Sequence, residues 1–116
     1  MSSFSINNKV IHQLLNCSEL SNNWNGEGSK APSDEVINFA HSLVSICSKA
    51  GQLIFRAIPE IDGKITLYVR KQGKSLELII FPHQKIAVKI PVGGEKSQSD
   101  FDESDLPSLL EWLNGK

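Results

Sequence analysis

The side chains able to carry chemistry are few and scattered. His12, His41 and His83 are the only imidazoles, and they fall on one helical pattern, on the polar side of a second and at a hairpin tip. No two share the i, i+4 or short-loop spacing through which imidazoles, thiolates and carboxylates converge on a metal ion, so no metal and no cofactor are expected. Cys17 and Cys47 are too few and too far apart for a disulfide framework or a Cys-X-X-Cys motif, and on apolar helix faces they read as inert buried thiols. Paired carboxylates occur only in Asp100-Phe101-Asp102-Glu103, where solvated loop acids lack the pocket that acid–base work requires. No catalytic residue is assigned, and the expectation is a protein that is not an enzyme.

The most distinctive local feature is Trp24-Asn25-Gly26-Glu27-Gly28-Ser29-Lys30. Glycines at 26 and 28 permit backbone angles closed to other residues, and free amides ahead of a helix can cradle an anion. The preceding strand and the full phosphate-loop pattern are both missing. The simpler reading is a tight Asn25-Gly26 turn, with Trp24 anchoring the loop on the core and Ala31-Pro32-Ser33 opening a helix.

Charge is distributed unevenly. Between Lys64 and Lys89 stand six basic residues against one acid, Glu77, whereas between Glu95 and Glu111 stand six acids against Lys96. Which faces these charges occupy depends on the elements that carry them.

Ile6, Val10, Ile11, Leu14 and Leu15 recur at helical spacing and predict a helix over residues 8–19. Ser33 as N-cap, Asp34 and Glu35 at the positive end of the dipole, and Gly51 as a stop predict a second over 34–49. After Gly51 the period changes to two, with Leu53, Phe55, Ala57, then Ile65, Leu67, Val69, then Leu76, Leu78, Ile80, then Ile86, Val88, Ile90 pointing inward. These are four strands of an antiparallel meander over 53–90. Residues 92–103 read as a flexible acidic linker, and a short helix with Leu106, Leu109, Leu110, Leu113 and Trp112 is expected over 105–114. The fold class is α+β, one domain over 1–116, with two N-terminal helices, a four-stranded sheet and a C-terminal helix that returns to its own sheet.

Turn lengths set the register. A Gln72-Gly73 turn places Val69 opposite Leu76, Leu67 opposite Leu78 and Ile65 opposite Ile80. Ile61-Asp62-Gly63 pairs Phe55 with Val69, and Pro59, lacking a ladder donor, suits a sheet edge. A three-residue Pro82-His83-Gln84 loop sets Ile80 against Ile86 and Glu77 against Lys89. In that register Arg56, Lys64, Tyr68, Arg70, Ile79, Phe81, Lys85 and Lys89 share the outer face, with Ile54, Ile58 and Ala87. So apolar a face calls for a cover, whether the terminal helix, a second copy in a homodimer or another protein. The expected function is therefore binding to another protein as an accessory, antitoxin-like or immunity-like partner. The alternative is a single-stranded nucleic-acid binder that uses Arg56, Lys64, Tyr68, Arg70, Phe81, Lys85 and Lys89.

Leu20-Ser-Asn-Asn-Trp24-Asn-Gly26-Glu-Gly28-Ser-Lys-Ala-Pro32-Ser33, followed by an apolar helix, Pro59-Glu-Ile61-Asp-Gly63-Lys-Ile65 and a strand meander, resembles a large group of small, mostly uncharacterised bacterial proteins. Their motif is Trp-Asp/Asn-Gly-X-Gly, and the likeness spans about residues 18 to 90. It implies no activity and supplies no catalytic residue. Some members are encoded in mobile or accessory gene neighbourhoods. Tyr68-Val69 stands where the group often has Glu-Trp. Composition agrees with a globular chain: 116 residues, 40% apolar, 22% charged, net charge -1. No apolar run approaches the roughly 20 residues that cross a bilayer. With no membrane segment and no secretory signal pattern at the N-terminus, the cytoplasm is the expected location.

Overall fold

A computed structural model describes residues 6–115. Three helices lie on one face of a five-stranded antiparallel sheet, in the order α1 (Asn8–Cys17), α2 (Asp34–Lys49), β1 (Arg56–Pro59), β2 (Ile65–Lys71), β3 (Lys74–Ile80), β4 (Lys85–Ile90), β5 (Ser97–Asp100) and α3 (Leu106–Asn114). The strands run in sequence order across the sheet. At 23 Å, the smallest dimension matches one helix layer on one sheet layer. Among the described residues no helix is long and apolar enough to cross a membrane.

The second helix forms where its caps predict. Ser33 Oγ accepts from the Val36 N–H at 3.2 Å, and the chain leaves through Gly51 at φ 75°. Its apolar side, Val36, Ala40, Leu43, Val44 and Cys47, packs on Ile65, Leu67, Leu76, Leu78 and Ile80, all fully buried. The first helix ends two residues earlier than expected, at Cys17.

The central hairpin has the expected register, Val69 with Leu76, Leu67 with Leu78 and Ile65 with Ile80. Gln72 and Gly73 both take positive φ, 53° and 87°, which matches the twist of the strands they join. Toward β1 the register also holds, but the strand starts at Arg56 instead of Leu53. Arg56 pairs with Tyr68, and the Phe55 N–H bonds the same Tyr68 carbonyl at 2.7 Å, so two residues face one, as in a bulge. The alternation inverts there: Ile54 is buried, whereas Leu53 and Phe55, expected inside, are exposed.

Between β3 and β4 the expected register is wrong by one residue. β3 ends at Ile80 and β4 begins at Lys85, and the Phe81 N–H bonds the Gln84 carbonyl at 2.8 Å as the next rung of the same ladder, so the turn closes over Pro82-His83 and not over three residues. Leu78 therefore meets Ala87, Glu77 meets Val88 and Leu76 meets Lys89. A slip of one turns every side chain of a strand to the other face. Lys85, Ala87 and Lys89 thus point toward the helices, and Ile86, Val88 and Ile90 point away.

Residues 92–103, expected as a flexible linker, contain the fifth strand, which pairs Asp100 with Ile86 and Gln98 with Val88. The residue that secures it is Phe101, buried against Phe39 in an edge-to-face contact at 6.1 Å. Asp102 caps the turn that follows, accepting from the Ser104 N–H while Asp105 Oδ2 accepts from the Asp102 N–H. Hydrogen bonds to Ser104 hold the Asp102 carboxyl below its ordinary pKa. The terminal helix docks on its own sheet through Leu106, Leu109, Leu110 and Leu113. At its C-terminal end Lys74 Nζ donates to the carbonyls of Trp112 (2.8 Å) and Gly115 (3.0 Å), a cation at the negative pole of the dipole.

Candidate functional site

Among the described residues no helix lies on the outer face of the sheet. The ladder arranges it in rows running from β1 to β5: Arg56, Tyr68, Glu77, Val88, Gln98 in one, and Ile58, Thr66, Ile79, Ile86, Asp100 in the next. Arg70, Ser75 and Ile90 begin a third. The face is therefore graded, basic at the β1–β2 side, apolar in the middle and acidic at β5.

Of the eight face residues expected from sequence, Arg56, Tyr68, Arg70 and Ile79 lie on this side by the alternation of their strands, and Lys64 and Phe81 stand one residue beyond the ends of β2 and β3 with the ammonium 5.2 Å from the ring centre. Lys85 and Lys89 do not. Their ammonium groups lie over aromatic rings of the helix layer, Lys85 at 5.0 Å from Phe39 and Lys89 at 5.7 Å from Trp112. Ile54 and Ala87, also expected outside, are core residues. In exchange the outer face gains Ile86, Val88 and Ile90, which makes it less basic and more apolar than the sequence suggested.

At the basic end the bulge brings Phe55 to the surface among cations. The Arg70 guanidinium lies 4.0 Å from the Phe55 ring centre, Arg56 5.5 Å and Lys9 5.7 Å; Arg56 is also 5.5 Å from the Tyr68 ring. Guanidinium groups are favoured over ring faces by the quadrupole of the π-system. Among the described residues neither Arg56 nor Arg70 is in an ion pair, whereas Lys64 is held by Asp62 at 3.1 Å. Arg56, Arg70, Tyr68, Ser75 and Glu77 line a shallow depression there with Phe55. Burial, with the charges of Glu60 and Glu77 beside it, raises the Tyr68 phenol, so it stays a neutral donor. The arrangement offers two unpaired guanidinium forks beside an apolar field, a surface suited to a carboxylate flanked by apolar side chains.

The glycine loop is not an anion cradle. Backbone amides of Asn23 and of every residue from 25 to 31 are already bonded inside the protein. Asn25 Oδ1 accepts from Glu27 and Ser29, Asn23 Oδ1 from Gly28 and Asn22 Oδ1 from Ala31, while Gly26 and Gly28 take φ of 78° and 83°. Trp24, expected as a core anchor, is half-buried; its Nε1–H donates to the Lys30 carbonyl at 2.9 Å and its ring borders a groove with Gln13, Leu20 and Pro59. Lys30 bridges to Asp62, tying the loop to the β1–β2 turn.

Among the described residues no three His, Cys, Asp or Glu side chains converge. Both thiols are buried, which raises Cys17 and pushes Cys47 up to about 12. Asn7 stands at the N-cap of α1 and is buried, and its side-chain bonds reach well beyond the helix. Its Nδ2 donates to Ser48 Oγ and the Gln52 carbonyl, both at 3.0 Å, and its Oδ1 accepts from the Ile54 N–H at 2.7 Å. No family model, no curated protein and no solved structure matches this chain.

Proposed function

We propose that this chain acts without catalysis, by binding an acidic, partly apolar surface of another protein through the outer face of its sheet. The observation that carries this reading is the uncovered face itself. Half-buried Ile79, Ile86 and Ile90 form an apolar field around the buried Val88, and Arg56 and Arg70 flank it without carboxylate partners among the described residues. Apolar area supplies the affinity of such a contact, and the guanidinium pair supplies its orientation and selectivity. An accessory or inhibitory protein that works by occupying its target needs no more than this.

Nucleic acid is the less favoured ligand, because Lys85 and Lys89 face the helices and Asp100 stands at the far end of the same face. The test is crosslinking capture from the native cell with the intact chain and with Ile79→Asp and Arg70→Glu. One acidic protein captured by the intact chain and lost with both folded variants supports the reading. Capture that ignores both substitutions overturns it. Oligonucleotide binding that weakens steeply with salt and depends on Arg56 and Arg70 would replace it with the nucleic-acid reading.

A further inference from the structure

The two edges of the sheet are finished differently. On β1 the Ala57 N–H, which points away from β2, is taken by Gln13 Oε1 at 2.7 Å. Pro59, two residues on and of the same parity, has no N–H to offer. Among the described residues the β5 edge has no such cover. Its Phe101 N–H bonds the Lys85 carbonyl at 3.0 Å, which makes residues 97, 99 and 101 the ones bonded to β4. Gln98 and Asp100, at the intervening positions, therefore point their N–H and C=O groups outward. All of β5 is exposed.

We propose that two copies of this chain pair antiparallel through β5, about a two-fold axis at Gln98, into one continuous sheet. Outward-facing groups at Gln98 allow it to bond its own counterpart, one of the two arrangements that a two-fold axis permits in an antiparallel pair. That register sets Ser97 against the partner's Ser99. Lys96 precedes β5 directly, and extending the two-residue period by that one residue sets it opposite the partner's Asp100, a pair that the axis repeats. An acid and a base two residues either side of the axis are self-complementary in this register, whereas a slip of two sets Asp100 against Gly94 or Gln98 and a slip of four sets Lys96 or Asp100 against its own counterpart, so the charges favour it. Asp100 accepts from Gln84 Nε2 through Oδ1 at 3.1 Å, which leaves Oδ2 for the lysine. The interface lies on the sheet edge and does not depend on what the outer face binds.

Sedimentation equilibrium of the full chain across a concentration series is the test. The dimer fraction rises with concentration, and the Gln98 and Asp100 amides exchange with deuterium more slowly in the dimer. Gln98→Pro removes an outward N–H and no bond to β4, so it abolishes the dimer while the circular dichroism is retained. Asp100→Lys abolishes it too, and adding Lys96→Asp restores it. Should Gln98→Pro fail to fold, the charge exchange decides alone. A monomer at every concentration overturns the proposal. So does a dimer indifferent to Gln98→Pro and Asp100→Lys, or a charge exchange that fails to restore pairing.

Discussion

Lys85 Nζ stands 5.0 Å from the centre of the Phe39 ring, so a charged residue of β4 lies over an aromatic residue of α2 on the helix side of the sheet. Its methylene stem covers apolar surface while the head reaches the ring and solvent. Lys85→Ala is expected to lower stability by about 1 kcal/mol, combining a cation–π contact with lost stem packing, and to leave binding at the outer face unchanged. Urea unfolding and a partner-binding titration, with Lys64→Ala as the outer-face comparison, check both halves. An unchanged midpoint with weakened binding would put Lys85 back on the outer face.

Asn7 joins three segments through one amide. With Asn7→Ala the buried Ile54 N–H loses the Asn7 Oδ1 acceptor, and an orphaned buried donor alone costs about 1–3 kcal/mol. The first helix and the chain entering β1 should loosen together. Native-state hydrogen exchange would show the Ile54 amide losing protection well ahead of the β2 and β3 amides.

How far the sequence could be read depended on whether a local signal had a competitor. The β2–β3 hairpin was legible because Gln72-Gly73 admits one turn and the inward residues alternate strictly with Thr66, Tyr68 and Arg70. Helix α2 was legible from Ser33 and Gly51. The β4 register was not, because Ile86, Val88 and Ile90 are the more apolar set and yet face outward. A turn closed over Pro82-His83 by the Phe81–Gln84 bond, one residue shorter than expected, outweighed that preference. Ser97-Gln98-Ser99-Asp100 has no apolar alternation, so only the free β4 edge and the burial of Phe101 reveal its strand. Arg56, Tyr68 and Arg70 were placeable on the candidate surface, whereas the exposure of Phe55 follows from a bulge that no local motif announces.

The half-buried state of Trp24 changes what its removal should cost. A fully buried tryptophan would lose about 3–5 kcal/mol on truncation to alanine. Trp24→Ala is expected to lose about 2 kcal/mol, one hydrogen bond to Lys30 plus part of the ring's burial. Thermal unfolding measures it, and a loss near 5 kcal/mol would mean the ring is an interior residue.

Cys47 should resist alkylation in the native state. Burial raises its thiol to about 12, so the reactive thiolate is scarce at pH 8. A folded pKa above the unfolded value means that the stability contribution is complete below about 9 and is lost as pH rises from there toward 12. Iodoacetamide labelling followed by mass spectrometry, native against urea-unfolded, is the measurement. Rapid labelling of Cys47 in the native protein would contradict its burial.

Gln13 on the Ala57 N–H and Pro59 beside it give the sheet a valence of one. A strand docking on β1 would find one donor occupied and another missing, so growth in that direction stops before it starts. Association through the β5 side alone is head-to-head and consumes its own reactive end. Such a molecule behaves as a chain terminator in its own polymerisation: edge pairing yields closed pairs, and the route from an exposed strand to a fibre is cut at the first step.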